Sequence, residues 1–302
     1  MIAVLLGSVG VSRFKSLRGI VVMKKLAVIL TCLTLFISAC APKPAPSISA
    51  DDSLLRMEPH ITVYKPNTLP PYKTVLVFHG AKRGLGWDVR YQSLMNQLKE
   101  NGYASVFVDM FTSRGTTGNA VFSGELTPKA TSGDVMILIE WAKRQNWIDK
   151  RNISAVGYSF GAATLMDALT LSKKGRSPEG LLNRPELGAS SLRSIVLMAP
   201  WCKHDVLGFN IIASTHENFG VRVPVLALIP SEDSISDTKL CQQILERNVA
   251  IGHDVNISVL KGSEHKFYFK TDAQGAPELQ YDSKNASFAK MKMLSFLKSH
   301  WQ

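Results

Sequence analysis

Short apolar runs alternate with stretches of helical periodicity through most of the chain after residue 59. Strands are expected near residues 60–65, 74–78, 104–109, 152–158, 193–199, 225–229 and 255–260. Helices are expected near residues 88–100, 132–146, 160–173, 237–250 and 285–299. A regular alternation of this kind predicts one α/β domain, in which a mainly parallel sheet is covered by helices on both faces.

The pentapeptide Gly-Tyr-Ser-Phe-Gly, residues 157–161, stands where one of these strands gives way to a helix. A serine on such a turn takes a strained backbone conformation and presents its hydroxyl at the carboxyl end of the sheet, where open α/β folds bind ligands. Gly157 and Gly161 let the strand and helix backbones pass close together. The motif alone also occurs in ordinary turns, but the strand-turn-helix setting favours Ser159 as a nucleophile.

A serine hydroxyl is an effective nucleophile only when a base takes its proton and a carboxylate orients that base. In sheets that carry the serine on such a turn, the acid and then the histidine follow in chain order. Asp233, just after the sixth predicted strand, is expected to be the acid; Glu232 and Asp237 are alternatives that also suit a solvated loop or a helix start. His265, after the last strand, is expected to be the base.

An acyl-transfer site also needs backbone N–H groups that stabilise the developing oxyanion. The N–H of Phe160, directly after the nucleophile, is expected to be one donor. The second is expected from Ala81, in the loop after the second strand, with the amide of Lys82 as the alternative. His79, which opens this loop, is expected to be a structural hydrogen-bonding residue.

The N-terminal region has the features of a secretory leader. A charged start at Met23 precedes an apolar run of about a dozen residues, which is too short to span a bilayer. The run ends in Ile37-Ser38-Ala39-Cys40, which resembles the lipobox of bacterial lipoproteins, where the cysteine is acylated and becomes the mature N-terminus. An ordinary signal peptide cut after Ala39 is the alternative.

These features predict the organisation of the whole chain. We expect a mis-set start or extension at 1–22, a lipoprotein signal peptide at 23–39, a Pro-rich tether at 40–58 and the α/β domain at 59–302. Cys40 would be the lipid anchor. The domain would then be held at a membrane of a bacterial cell envelope, facing the periplasm or the exterior.

The charge of the chain gives little support for a nucleic-acid partner. The formal net charge is +11, but the leader, residues 1–39, contributes five Lys and Arg and no acid, which leaves +6 for the rest. No basic helix and no aromatic-interleaved basic patch stands out, and export counts further against nucleic acid.

The cysteines are best explained by an oxidising compartment. Cys32 lies in the leader and Cys40 is the predicted anchor, which leaves Cys202 and Cys241. A disulfide between these two is expected, and two free buried thiols are the alternative. The spacing of Cys202 and the nearby His204 does not match a zinc site, and no metal is expected.

Six segments occur in a characteristic order along the chain: His79-Gly80, residues 109–115 (Asp-Met-Phe-Thr-Ser-Arg-Gly), 157–161, 199–202 (Ala-Pro-Trp-Cys), 231–233 (Ser-Glu-Asp) and 262–267 (Gly-Ser-Glu-His-Lys-Phe). Together they resemble motifs of the dienelactone hydrolase family of α/β-hydrolases, over roughly residues 60–300. The best-known members use a cysteine nucleophile, where this chain has Ser159. The positions of Cys202 and Cys241 also resemble a cysteine pair in some exported relatives.

The resemblance implies an α/β-hydrolase fold and the hydrolysis of a small-molecule ester. Only about two dozen residues separate the fifth and sixth strands, so no large cap is expected, and a modest lid would lie at 201–219. We therefore expect a serine carboxylesterase that works through an acyl-enzyme and needs no cofactor. A peptidase or thioesterase with the same triad, or a non-catalytic binding lipoprotein, is the alternative. Arg114 fits a structural ion pair better than a substrate contact.

Overall fold

A seven-stranded sheet forms the centre of the structure. The computed structural model describes residues 47–82, 84–172, 176–206, 209–212 and 218–301, which belong to one compact unit. The predicted extension, the signal peptide and the anchor Cys40 lie outside the described residues.

The strands of this sheet match the seven predicted from the sequence. They are β1 (Ile61–Tyr64), β2 (Tyr72–Phe78), β3 (Ala104–Val108), β4 (Ile148–Tyr158), β5 (Ile195–Met198), β8 (Val225–Pro230) and β9 (Val255–Leu260). Their order in the sheet is β1-β3-β2-β4-β5-β8-β9. Only β1 runs antiparallel to its neighbour, and every other pairing is parallel. The mainly parallel sheet is therefore confirmed.

Seven α-helices accompany the sheet within the described residues. They are α1 (Ala50–Met57), α2 (Val89–Glu100), α3 (Asn119–Phe122), α4 (Pro128–Arg144), α5 (Phe160–Leu171), α6 (Thr238–Ala250) and α7 (Ser283–His300). Five of them were predicted, and the short helices α1 and α3 were not. Two-turn and one-turn helices carry too few residues to show a periodic pattern, and they are stabilised by packing on the rest of the protein.

Polar side chains fix where four of the predicted helices begin. The side chains of Asp88, Thr127, Asp237 and Asp282 accept hydrogen bonds from backbone N–H groups in the first turns of α2, α4, α6 and α7. Each of these oxygens satisfies an N–H that has no partner inside the helix. These caps position α2 and α6, whose starts border the candidate site.

The two faces of the sheet bury separate apolar clusters. In β2, Leu76 and Phe78 belong to the cluster under α1, α4, α5 and α6, whereas Val75 and Val77 face the cluster under α2 and α7. Neighbouring side chains of a strand point to opposite faces, so a continuous apolar run is the expected sequence of a strand covered on both sides. The fold confirms the prediction of helices on both faces.

The folded body begins ahead of the predicted boundary at residue 59. Part of the segment predicted as a tether, 40–58, is helix α1, whose start is capped by the Ser49 side chain. The backbone N–H of Ala50 donates to Asn183 at 3.0 Å, and the Trp141 indole donates to Glu58 at 3.3 Å. Contacts with distant parts of the chain therefore order this segment, and its composition alone did not reveal them.

The connection between β5 and β8 contains a small hairpin instead of a cap domain. Its strands are β6 (Lys203–Val206) and β7 (Phe209–Ile212), which pair antiparallel within the region predicted as a lid. Within the described residues, no helix combines the length and the apolar character needed to cross a membrane.

Candidate active site

Ser159 lies on a sharp turn between β4 and α5, with a backbone φ of 53° and ψ of −114°. Such a positive φ is strained for a residue with a side chain. The two flanking glycines make the turn possible. A Cβ at Gly157 would lie 2.6 Å from the Gly161 carbonyl oxygen, and one at Gly161 would collide with the Phe78 backbone. The sequence motif therefore has the steric role predicted for it.

Backbone hydrogen bonds hold the strained turn against the neighbouring strand. The Ser159 N–H donates to the Met198 carbonyl at the end of β5, at 2.9 Å. The Ser159 carbonyl in turn accepts from Ala163 in α5 and from Trp201, at 3.0 and 3.3 Å. The nucleophile candidate is thus fixed by two segments, the start of α5 and the stretch from the end of β5 to Trp201.

The structure brings Ser159, His265 and Asp233 into one hydrogen-bonded line. His265 Nε2 lies 2.8 Å from Ser159 Oγ, and His265 Nδ1 lies 2.7 Å from Asp233 Oδ2. The side chains of His265 and Asp233 are only 4% and 2% exposed. The second carboxylate oxygen of Asp233 accepts the N–H groups of Ile235 and Ser236, at 2.9 and 2.8 Å. An Nδ1–H donated to the carboxylate leaves Nε2 free to accept the serine proton.

The two alternative acids have other partners. Asp237 Oδ1 accepts the Leu240 N–H at 2.9 Å and caps α6. Glu232 is exposed and accepts the Ser231 hydroxyl at 3.1 Å. Of the three acids considered, only Asp233 bonds to His265.

A buried tyrosine holds the histidine loop in place. The Tyr158 hydroxyl, one residue before Ser159, donates to the His265 carbonyl oxygen. Burial raises the pKa of Tyr158 well above its ordinary value, so the hydroxyl keeps its proton and remains a donor. The sequence analysis did not identify this contact, because no local pattern places residue 158 beside residue 265.

The loop after β2 is held by a second buried tyrosine. The Gly80 N–H donates to the Tyr91 hydroxyl at 2.6 Å, and burial raises the pKa of Tyr91 to about 12. His79 accepts the Met110 N–H at its Nε2 and lies with Nδ1 3.0 Å from the Gly80 carbonyl. Burial lowers the pKa of His79, and the neutral ring acts here as a structural group. Ala81, which follows Gly80, lines the same pocket as Ser159.

The pocket at Ser159 is small and mostly apolar. Its volume is about 60 Å³, and its apolar walls include Val121, Phe122, Trp201 and Ile235. Phe160 also lines the pocket, and its N–H is one of those at the start of α5 that have no partner inside the helix. Apart from Phe160 and Trp201, these walls were not predicted, because α3 and the turn after β8 meet only in the folded chain.

Two basic residues, Arg90 and Lys266, also line this pocket. Arg90 forms a forked pair with Asp88, whose carboxylate also lies 2.7 Å from Lys82. Burial alone raises the pKa of Asp88, but the hydrogen bonds from Arg90 and Lys82 outweigh it and lower the pKa. Two cations thus share the Asp88 carboxylate, and Lys266 lies 3.6 Å from the Glu278 carboxylate. Among the described residues, no group of three or more His, Cys, Asp or Glu could hold a metal ion.

Solved structures with the same architecture include several hydrolases. A protein of Klebsiella pneumoniae subsp. pneumoniae MGH 78578 assigned as a dienelactone hydrolase is 15% identical, with a TM-score of 0.59 over 79% of this chain and 92% of its own. The apo form of Thermogutta terrifontis esterase 2 is also 15% identical, with a TM-score of 0.58 over 79% of this chain and 88% of its own. A propionate-bound esterase from Thermogutta terrifontis is 16% identical, with a TM-score of 0.55 over 78% and 88%.

The chain has the α/β-hydrolase fold. A family model described as X-Pro dipeptidyl-peptidase (S15 family) matches residues 59–177, which include Ser159 but end before Asp233 and His265. No curated protein matches the chain. At 15% sequence identity, the structural neighbours show the fold that this chain shares with them.

Arg114 lies outside the pocket at Ser159 in this α/β-hydrolase domain. Its guanidinium forms a forked pair with the buried carboxylate of Asp134, at 2.6 and 2.7 Å. It also donates to the carbonyl oxygens of Met110 and Ala130. These contacts agree with a structural ion pair, and Arg114 does not line the pocket at Ser159.

The predicted disulfide is present. Cys202 and Cys241 are bonded, with their Cα atoms 5.5 Å apart, and both residues are buried. The alternative of two free thiols is therefore wrong. The bond joins the loop after β5, next to Trp201 in the pocket wall, to the first turns of α6.

Proposed function

We propose that this protein is a serine hydrolase that cleaves carboxylic esters, similar to dienelactone hydrolases, with Ser159, His265 and Asp233 as its catalytic triad. The observation that carries the proposal is the pair of short hydrogen bonds, 2.8 Å from Ser159 Oγ to His265 and 2.7 Å from His265 to Asp233. The nucleophile is hydrogen-bonded to the base, and the base to the orienting acid, as acyl transfer requires.

In the first step, His265 Nε2 accepts the proton of Ser159 Oγ as this oxygen bonds to the ester carbonyl carbon. The carbonyl electron pair moves onto its oxygen, which accepts the N–H groups of Phe160 and Ala81. Because the Gly80 N–H is already bonded to Tyr91, Ala81 is the next amide of that loop available for this purpose. The amide of Lys82 is the alternative. Donors fixed in advance stabilise this charge without reorganisation.

In the second step, the tetrahedral intermediate collapses, and the His265 imidazolium gives its proton to the leaving alcohol. Water then attacks the acyl-enzyme carbonyl, His265 accepts a proton from that water, and Ser159 leaves with the same proton. A carboxylic acid is released. Asp233 holds the imidazole in the Nδ1–H form throughout and stabilises its charged state. Every proton that His265 accepts in this cycle is passed on, first to the leaving alcohol and then to Ser159.

The dimensions of the pocket favour small acyl groups. A pocket of about 60 Å³ with mostly apolar walls has little room for a long acyl chain. Phe122 and Trp201 close its sides. Acetyl and butyryl esters are therefore the expected substrates, with lower kcat/KM for octanoyl esters.

A peptidase that removes X-Pro dipeptides is a second candidate, because the S15 family model matches residues 59–177. Such an enzyme must bind the protonated N-terminus of a peptide, which calls for a carboxylate. The described residues that line the pocket include Arg90 and Lys266 but no Asp or Glu. Without a carboxylate among these lining residues to bind a free amino end, the pocket favours an ester over such a peptide. A thioesterase would use the same triad.

The test uses purified protein, a fluorophosphonate probe and p-nitrophenyl esters of increasing chain length. The wild type is expected to be labelled and to release p-nitrophenol, fastest from short esters, while Ser159→Ala does neither. Ser287→Ala, which alters an exposed serine of α7, is the matched control. An unlabelled wild type without ester turnover would leave the non-catalytic binding role as the better explanation. An X-Pro p-nitroanilide tests the peptidase.

We also propose that Cys40 carries a lipid that anchors the domain at a bacterial envelope membrane. The support is the lipobox-like sequence at 37–40 and the charged, apolar leader before it. Mass spectrometry of the N-terminal peptide from the native host is expected to show a diacylglyceryl-modified Cys40. An unmodified N-terminus would exclude the anchor.

A further inference from the structure

Ser236 joins two loops that both reach the triad. Its hydroxyl accepts the Cys202 N–H at 3.0 Å and donates to the Pro200 carbonyl at 2.8 Å. The residue is only 5% exposed. A buried hydroxyl with a donor and an acceptor on one neighbouring loop holds its own segment firmly to that loop.

One of the two loops carries the carboxylate of the triad. The backbone N–H of Ser236 donates to Asp233 Oδ1 at 2.8 Å, and the opposite oxygen of Asp233 bonds His265. Two backbone N–H groups hold the Asp233 carboxylate, and one of them belongs to Ser236. A shift of Ser236 would therefore move this donor. The Ile235 N–H is the other, and it lies on the same turn.

The second loop carries contacts to the nucleophile. It runs from the end of β5 to Cys202. The side chain of Trp201 in this loop lines the pocket, and the backbone N–H of Trp201 donates to the Ser159 carbonyl. The Ser236 hydroxyl binds the residues on both sides of Trp201. A displacement of either loop would therefore be felt at both ends of the triad.

The disulfide crosslinks these same two segments. Cys202 ends the loop after β5, and Cys241 lies in the first turns of α6, five residues after Ser236. The Cys241 sulfur lies 3.6 Å from the Ser236 hydroxyl and 3.1 Å from the Pro200 carbonyl oxygen. The disulfide and the hydrogen bonds of the Ser236 hydroxyl thus hold the same two segments together, the loop after β5 and the segment that leads into α6.

We propose that Ser236 is a positioning residue for Asp233, and that the Cys202–Cys241 disulfide makes this positioning dependent on the redox state of the protein. The inference rests on the proposed function of the triad. It assigns the disulfide a role in turnover that is separate from its contribution to folding.

The chemistry of reduction explains the coupling. A dithiol reductant supplies two electrons and two protons; the S–S bond breaks, each sulfur becomes a thiol, and the reductant becomes a cyclic disulfide. The Cys241 thiol is then a hydrogen-bond donor 3.1 Å from the Pro200 carbonyl. This oxygen has two lone pairs and can accept the Ser236 hydroxyl as well, so the change that matters is that the loop after β5 is no longer tied covalently to α6.

The experiment compares the oxidised full chain with the same protein after dithiothreitol, with free thiols counted and folding followed by circular dichroism. Reduction is expected to lower kcat about tenfold with KM changed less than twofold, since a misplacement of about 1 Å costs up to 10²-fold. Cys202→Ala/Cys241→Ala, which keeps the other two cysteines, is expected to behave as the reduced protein and to ignore the reductant. Because the disulfide is buried, dithiothreitol could fail to reach it, and this variant removes the bond without a reductant.

Ser236→Ala tests the positioning residue itself. We expect kcat to fall about fivefold, as the loss of about one net hydrogen bond implies, with KM unchanged. Ser236→Thr, which keeps a hydroxyl, is expected to restore most of kcat. The downfield proton signal of the His265 Nδ1–H in the NMR spectrum should weaken in Ser236→Ala and return in Ser236→Thr.

The outcomes separate this inference from the proposed function. If the wild type hydrolyses esters but kcat is the same in the reduced protein, the double cysteine variant and Ser236→Ala, the inference is wrong and the triad stands. If the wild type is inactive, the proposed function is wrong, and the NMR signal still reports whether Ser236 positions Asp233. An unchanged signal in every folded variant would overturn the positioning role.

Discussion

Two buried aspartates of this protein each pair with one basic side chain, and the two pairs differ in what they can do. Asp233 bonds His265 at 2.7 Å, and Asp134 bonds Arg114 at 2.6 and 2.7 Å. A guanidinium keeps its proton at every pH that proteins tolerate, whereas an imidazole can give up and take back a proton near neutrality. The first pair is therefore suited to proton transfer, and the second can only hold structure.

The surroundings of the two pairs differ in the same way. His265 has its second nitrogen 2.8 Å from the hydroxyl of Ser159 and opens onto a pocket. Arg114 and Asp134 line a different cavity, where both terminal nitrogens of the guanidinium donate to Asp134 and to the carbonyl oxygens of Met110 and Ala130. A buried ion pair thus becomes a candidate for chemistry only when one partner still has an atom facing a substrate.

The largest effect is expected for Asp233→Asn. An amide in this place favours the wrong imidazole tautomer, and kcat is expected to fall by about 10⁴-fold. The fold should persist, because the side chain keeps its shape and its acceptor for the N–H groups of Ile235 and Ser236. Steady-state kinetics with p-nitrophenyl acetate measures the loss. Retention of full activity would remove Asp233 from the triad.

Asp134→Asn is expected to affect stability instead of catalysis. It leaves Arg114 charged and without its carboxylate, and breaking a buried pair costs about 3 kcal/mol. Arg114 remains a quarter exposed and keeps two carbonyl acceptors, so a value near the low end of the usual range is expected. Urea unfolding gives the free energy, and kcat of the folded protein should stay unchanged. A large loss of kcat without loss of stability would reverse the distinction between the two pairs.

Asp237→Ala distinguishes the helix-capping role of Asp237 from the catalytic role proposed for Asp233, four residues earlier. The substitution removes the acceptor of the Leu240 N–H and is expected to destabilise the protein by about 1 kcal/mol. Asp237→Asn, which keeps the acceptor, should be close to the wild type in both stability and activity. Strong loss of activity in Asp237→Asn, with full activity in Asp233→Asn, would exchange their roles.

The smallest effect is expected from His79, a buried histidine 3.8 Å from Asp109 that shares no hydrogen bond with it. Burial lowers the pKa of His79 from its ordinary value of 6.5. The unfolded chain therefore binds this proton more readily, and the stabilising contribution of a neutral His79 is present above pH 6.5 and declines as the pH falls below it. Urea midpoints between pH 7.5 and pH 5.5 should fall less steeply in His79→Gln than in the wild type. Equal slopes would contradict this.

The sequence predicted the parts of the molecule that local patterns encode. Short segments that are apolar or alternate apolar and polar residues indicated all seven strands of the main sheet, and the glycines around Ser159 indicated a turn that the backbone angles confirm. The positions of Asp233 and His265 followed from chain order. Helix α1 and the hairpin β6–β7 were missed, because short elements have weak patterns of their own and depend on distant contacts for their order.

Other parts of the site depend on residues that are far apart in the chain. Nothing local indicates that Tyr158 bonds the His265 carbonyl, that Tyr91 holds the Gly80 N–H, or that Ser236 joins the loop of Cys202 to the turn of Asp233. These contacts form only when loops from separate strand ends meet at one edge of the sheet.

By itself the sequence determined the strand order in the chain, the strained turn at Ser159 and the types of residue available for a triad, since each of these depends on neighbours within a few positions. Tertiary structure alone decided which apolar side chains and which cations line the pocket, and which hydroxyls hold the loops around the triad. The physical reason is that strands pack side by side in an order different from their order in the chain. Residues separated by more than a hundred positions, such as Ser159 and His265, therefore meet within 2.8 Å.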